Sequence, residues 1–319
     1  MFDFDRRGNR MENADYVRVL FRTMLGREPD PEALGFFSDV LGDERDVRRL
    51  VDEIVASEEF ANRHVPFKAA SDLRPDISRT INIVDVGAQK LAAEDHVYMP
   101  LIAAGFRCRC IGFEPLSHHG TNLSSGDIAM SVYPNFIGDG SRQTFHINND
   151  DATSSLLPLN LAFNSNFNHL ETLRTTTTEG VDTSRLDDVL HDLAWVDLLK
   201  LDIQGFELAA LRGAQQLLSR TNVVHCEVEL GPIYMGQPLF SEVEQFLRAA
   251  GFSFIDFVTE TRYSYTRSGV SGPSERLIWA DAVFYRDSGS LSHEDRLAQA
   301  AIAMHVYEKN GLAQHVLAG

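Results

Sequence analysis

The chain has 319 residues, with 44% hydrophobic and 24% charged content and a formal net charge of −17. That composition is ordinary for a soluble globular protein with a sizeable core. The acidity argues against a general binder of nucleic acid or anionic membrane, which needs clustered Lys and Arg. No apolar run is long enough to span a membrane, and the opening MFDFDRRGNRMEN has no apolar stretch of the kind a secretory leader needs, so cytoplasmic residence is expected.

Residues 1–14 are expected to be flexible, and a helical module follows over 15–64. Val17, Leu20, Phe21, Met24 and Leu25 recur at helix spacing up to Gly26. Asp30-Pro31 opens the next helix as N-cap and first-turn proline, with Leu34, Phe37 and Leu41 as its stripe before Gly42. Val47, Leu50, Val51, Ile54 and Val55 form a third stripe, and Ser57 is expected to cap a short fourth helix carrying Phe60. A linker rich in Pro, Ser and Asp spans 65–79.

Over 80–288 the period changes, and strands are predicted at 80–86, 108–113, 128–137, 196–202, 222–230 and 252–258. Thr175–Thr178 also reads as strand. Helices near 91–104, 205–219 and 239–250 separate several of them, which implies βαβ crossovers and a mostly parallel sheet with helices on both faces. The runs near 253–260 and 277–286 leave no room for a helix between them and are predicted as an antiparallel edge hairpin. The remaining 289–319 reads as a helical tail without legible chemistry. Cys108, Cys110 and Cys226 make neither a disulfide framework nor a metal spacing and are expected to be reduced core thiols.

Ligands of an open α/β sheet bind beyond the carboxyl ends of its strands, near the switch in strand order. Here those ends are acidic: Asp85 before Gly87, Glu114 before Pro115, Asp139 after Ile137-Gly138, Asp202, and Glu227 with Glu229. Gly87 allows close backbone approach of a ligand. Glu114 can accept both hydroxyls of a ribose, and Asp139 a hydrogen bond from an adenine amino group. Carboxylates suit a nucleoside with a cationic sulfonium better than a pyrophosphate, which wants N–H-rich turns. The pattern therefore favours S-adenosylmethionine over a nicotinamide dinucleotide.

The strings IVDVGA, IGFEP, LLKLDIQGFELAALRGA and VVHCEVELGPIYMGQPLF resemble the hallmarks of FkbM-type S-adenosylmethionine-dependent methyltransferases across residues 80–286. The resemblance implies a Rossmann-like class I methyltransferase fold and O-methylation of a hydroxyl on a glycan or other small metabolite. It assigns Asp85, Gly87 and Ala88 to the cofactor loop, Glu114 and Pro115 to the ribose, Asp139 to the adenine and Asp202 to the methyl-transfer end. Members place another glycine shortly after Ala88, where this chain has Lys90 and Leu91. The string LFRTMLGREPDPEALGFFSDVL with IVASEEF is similar to a helical module of unknown function, which implies docking to a protein partner through residues 15–64.

Methyl transfer to a hydroxyl needs alignment of the reacting atoms and a destination for the hydroxyl proton. Asp202 is the first catalytic candidate and Glu207 the second, with His225, Glu227 and Glu229 behind them. Against each stands a plainer role. Asp202 or Glu207 can cap the following helix, Asp85 can satisfy turn N–H groups, and His225 fits a satisfied core histidine. Asp202, Glu227 and Glu229 offer oxygen ligands, but an oxygen-only cluster is not fixed by spacing, and no metal is expected. Two other classes stay open: a noncatalytic scaffold of the same fold, and a nicotinamide-dependent oxidoreductase.

Overall fold

The computed structural model describes residues 12–25, 27–41, 47–57, 73–88, 96–115, 130–266 and 274–318. The chain divides into two compact units, Met1–Ser71 and Asp72–Gly319.

In the first unit, α1 (Asn13–Leu25), α2 (Pro31–Leu41) and α3 (Val47–Ala56) enclose a core of Val17, Phe21, Leu25, Leu41, Leu50 and Ile54. Asp30 caps α2 as expected: its Oδ1 accepts the Ala33 N–H at 2.8 Å. Ser57 closes α3, donating its hydroxyl to the Ile54 carbonyl at 2.6 Å. The expected fourth helix lies outside the described residues.

The second unit is built on a seven-stranded sheet of order β3-β2-β1-β7-β8-β10-β9. Its strands are β1 (Ile81–Val86), β2 (Cys108–Phe113), β3 (Met130–Tyr133), β7 (Val196–Leu201), β8 (Thr221–Glu229), β9 (Phe252–Tyr263) and β10 (Arg276–Arg286). The first five are parallel, and β10 runs antiparallel between β8 and β9. This is the expected Rossmann-like class I methyltransferase fold with an antiparallel edge hairpin. Strand order reverses between β1 and β7, so a crevice opens at their carboxyl ends. All nine residues of β8 are buried, as a central strand covered on both faces requires.

Alternation along the strands sorts the sheet into an apolar and a polar face. Val84, Val86, Leu199, Leu201, Val224, Cys226 and Val228 join the main core with α5 (Glu207–Arg212) and α6 (Phe240–Ala249). The intervening Asp85, Lys200, His225 and Glu227 point to the opposite face. Register puts Asp85 beside Lys200, Lys200 beside His225, and Glu227 beside Asp281.

Two expectations about single elements are corrected. The strand predicted at 128–137 is two strands, because Pro134 has no N–H to continue the ladder. After β3, Phe136–Ile137 forms β4 of a separate three-stranded sheet with β5 (Arg142–Asn148) and β6 (Thr175–Ser184). Thr175–Thr178 is strand, as predicted. The helix predicted at 205–219 breaks at Gly213. A Cβ there would stand 2.2 Å from the Gly138 carbonyl oxygen, so the close approach of the two segments requires glycine.

The segment 289–319 is not an appendage. Its helix α7 (His293–His305) packs on the sheet, with Ala298, Gln299, Ala300, Ala301, Ile302 and Ala303 fully buried. Gln299 Nε2 donates to the carbonyls of Asn222 and Arg286, both at 2.9 Å. At the amino end of the strands, Arg79 pairs with Asp197 at 2.6 Å and with Asp295 of α7 at 2.7 Å. The second compact unit begins at Asp72. Cys110 and Cys226 are buried, Cys108 is partly buried, and all three are free thiols.

Candidate active site

The turn after β1 fixes the site. Gly87 has φ +83°, and a Cβ on it would lie 1.9 Å from the Asp202 carbonyl oxygen. The Asp202 N–H in turn donates to the Val86 carbonyl at 3.0 Å. The ends of β1 and β7 therefore touch through a position only glycine can occupy. Ala88 is 1% exposed and packs beneath the turn, its N–H donating to the Phe113 carbonyl at 3.1 Å. Its side chain packs against Gly112 of β2 and is not among the residues that line the cleft. Lys90 and Leu91 lie outside the described residues.

Below the turn, Asp85 is fully buried and binds three donors: Lys200 Nζ at 3.2 Å, Tyr98 OH at 3.0 Å and His96 Nδ1 at 3.2 Å. Burial alone would raise its pKa, but the Lys200 charge and the His96 and Tyr98 hydrogen bonds hold it below the usual carboxylate range. Lys200 Nζ also reaches Asp202 Oδ2 at 3.4 Å and the Gly87 carbonyl at 3.5 Å. Burial would lower its pKa, but Asp85 and Asp202 raise it instead. Asp85 does not line the cleft; it acts through Lys200, which holds the ends of β1 and β7 together. Lys200 stands in the KLDIQGFE string, yet alternation on an apolar strand gave no reason to single it out.

The cleft above has a volume of about 1020 Å³, the upper end of the range for ligand sites. At one end it is lined by Gly87, His96, Phe113, Glu114 and Pro115. Glu114 is 6% exposed, at the end of β2 next to the β1 turn, where a ribose binder of this fold stands. Asp139 is not there. It is exposed, and its Oδ1 accepts the Ser141 N–H at 3.0 Å. Because the chain leaves the main sheet at Pro134, Asp139 ends no strand of that sheet.

Beyond the switch point, Asp202, Gln204, Glu227, His225 and Asp281 line the cleft. Gln204 has φ +58°, a conformation rare for a residue with a side chain and one held only where surroundings fix it. Its Nε2 donates to Glu227 Oε2 at 2.9 Å and to Asp202 Oδ1 at 3.3 Å. Its Oε1 accepts from Tyr234 OH at 2.9 Å, and its carbonyl from Ser155 Oγ at 2.6 Å. One amide thus bridges two carboxyl groups. Nothing in the sequence pattern marked Gln204, though the glycine after it signals an unusual turn.

Glu207 faces inward. It is 2% exposed and absent from the cleft, and its Oε1 accepts the N–H groups of Ile203 at 2.7 Å and Gly205 at 3.3 Å. It anchors the turn before α5. Burial first, with the Asp202 charge adding to it, raises its pKa to about 7 against its own hydrogen bonds. Glu229 is 3% exposed and also off the cleft. His225 is 3% exposed, 3.2 Å from Tyr307 OH at Nδ1 and 3.6 Å from Asp281 at Nε2, a satisfied histidine at the cleft floor.

A doubly wound sheet with its glycine turn, acidic second strand end and polar cleft at the switch point is the architecture of a nucleoside-binding α/β domain. The chain belongs to the family described as the methyltransferase FkbM domain, which matches residues 85–254; its members use S-adenosylmethionine. Residues 3–64 match a domain of unknown function, DUF4214. The 2-O-methyltransferase NoeI of Sinorhizobium fredii is 30% identical over 135 residues, which make up 37% of this chain and 56% of that protein. The chain thus spans about half the length of this curated relative. Among solved structures, it is similar to methyltransferase FkbM from Methylobacillus flagellatus KT, at 16% identity and a TM-score of 0.36, over 87% of this chain and 63% of that one. It is also similar to magnesium protoporphyrin IX methyltransferase from Synechocystis, at 11% identity and a TM-score of 0.32, over 87% and 98% of the two chains.

Proposed function

We propose that the protein transfers a methyl group from S-adenosylmethionine to a hydroxyl oxygen of a glycan or another small metabolite. The observation that carries this reading is the Gly87 turn, packed on the Asp202 carbonyl with Glu114 at the neighbouring strand end. Among the described residues it gives one close backbone approach and one ribose acceptor, which suits a nucleoside. The name of NoeI, a 2-O-methyltransferase, supports oxygen as the accepting atom.

S-Adenosylmethionine supplies a methyl group already activated on a sulfonium. The protein's part is alignment and proton handling. Glu114 and Pro115 hold the ribose side, Gly87 lets the backbone come close, and Lys200 keeps Asp202 in place at the methyl-transfer end. Residues 12–57 lie in a separate compact unit, and we assign that unit a docking role toward a protein partner.

Thermal shift tests the reading. S-Adenosylhomocysteine at a hundredfold excess over its dissociation constant stabilises the protein by about 2.7 kcal/mol, whereas NAD gives no shift. A response to NAD alone means an oxidoreductase, and no response to either means a noncatalytic scaffold.

A further inference from the structure

Glu227 is held on one side only. It is 7% exposed and lines the cleft near the end of β8. Gln204 holds Oε2, while Oε1 accepts no hydrogen bond among the described residues and is open to the cleft. Its surroundings are acidic on every side. Asp202 faces it from the turn after β7, Asp281 from β10, Glu229 from its own strand and Glu207 from α5. Tyr234 approaches from the loop after β8 as a neutral phenol bonded to Gln204. His225 on the same strand is turned to Tyr307 and Asp281. The nearest cation, Lys200, is committed to Asp85 and Asp202. Burial first, and then the charges of Asp202, Glu229, Glu207 and Asp281, raise the pKa of Glu227 well above the usual carboxylate range. Burial and these acidic neighbours therefore favour the protonated form of this carboxyl in the free protein.

We propose that Glu227 Oε1 is the proton acceptor of the methyl transfer, and that it loses its own proton only when a sulfonium nucleoside occupies the cleft. This rests on the reading above. A nucleoside held between Gly87 and Glu114 sends its sulfur end across the switch point toward Asp202, to which Gln204 ties Glu227. A positive charge within about 4–6 Å favours the ionised form of a carboxyl group. In the transfer, the acceptor oxygen forms its bond to the methyl carbon as the carbon–sulfur bond breaks. The bonding pair stays on sulfur, and the hydroxyl proton passes to Oε1. A sulfonium–carboxylate pair becomes a thioether and a neutral acid, a cancellation of charge that a low-dielectric cleft favours. The thioether product then leaves Glu227 protonated, as in the free protein.

S-Adenosylmethionine and S-adenosylhomocysteine share every ionisable group and differ at the sulfur, so no acceptor is needed for the test. The full chain is titrated calorimetrically with each nucleoside near neutral pH, in buffers of different ionisation enthalpy. The sulfonium compound is expected to release about one proton more than the thioether, and its affinity to rise up to about tenfold per pH unit while Glu227 is protonated. Glu227→Gln is expected to bind both nucleosides without that extra release, whereas Glu179→Gln, exposed on β6 and away from the cleft, keeps it. The wild-type difference stands without either variant. Equal proton counts for the two nucleosides, or an extra release that survives in Glu227→Gln, overturns the proposal and leaves the methyltransferase reading intact. Failure of both nucleosides to bind overturns that reading and this one with it.

Discussion

At the residue scale, Gly87 and Glu114 carry the clearest consequences. Gly87→Ala adds a Cβ 1.9 Å from a backbone oxygen at φ +83°. The strand ends must separate, at a cost of about 1–3 kcal/mol or more, and binding of S-adenosylhomocysteine is expected to disappear. Urea denaturation and ligand titration of the same variant measure the two effects. Glu114→Ala removes a charge-assisted acceptor and is expected to weaken that ligand by roughly 1–3 kcal/mol; unchanged affinity would take Glu114 off the ribose. Both residues were legible in the sequence because each ends a strand whose apolar run is unmistakable. Asp139 was misplaced for the same reason in reverse. Its strand was read as one with β3, and the proline that divides them carried less weight than the apolar residues on either side.

At the element scale, the buried Lys200–Asp85 pair joins β1 to β7. Lys200→Met leaves Asp85 buried without its cation and is expected to cost about 3–5 kcal/mol, much of it recovered in the double variant with Asp85→Asn. Denaturation midpoints of the two single variants and the double variant give the coupling. Glu207, in the turn before α5, gives a pH signature. Its folded pKa is raised to about 7, so between roughly 4.5 and 7 the native state binds more protons than the unfolded chain. Stability from this group is full below the unfolded pKa and is lost as pH rises through the folded one. Glu207→Gln keeps an oxygen for the two N–H groups and is expected to flatten that fall, read as unfolding free energy at about pH 5 and pH 8. Capping and catalysis by Glu207 could not be separated from spacing alone, since both need a carboxylate at that turn. Only the direction of the side chain separates them.

At the scale of the whole molecule, α7 and α8 (Asn310–Ala318) belong to the second unit. A chain ending before His293 uncovers the polar face of the sheet and the α7 core alanines' partners, and is expected to lose its cooperative melt. Removal of residues 1–71, by contrast, is expected to leave the melting of the second unit and its binding of S-adenosylhomocysteine unchanged, because the two units are separately compact. Scanning calorimetry of the two truncations checks both. None of the helices among the described residues is long and apolar enough to cross a membrane.

The sequence by itself determined the doubly wound sheet, the hairpin at its edge, the glycine turn and the acidic end of β2. Each follows from apolar periodicity and from the residues that interrupt it, which are local properties of the chain. The tertiary structure alone decided what the acidic residues do. Glu207, Glu227 and Asp202 lie within a few dozen positions of one another, yet one faces inward to backbone N–H groups and two face the cleft. It also decided the place of α7, whose buried alanines leave no stripe to read, and of β5 and β6, of which β6 is largely exposed and neither keeps a buried period of two. The reason is physical: a carboxylate's role depends on which donors and charges surround it, and those come from elements far apart in the chain. Gln204 shows this most directly, since its one amide meets Asp202, Glu227 and Tyr234 only after three segments have packed.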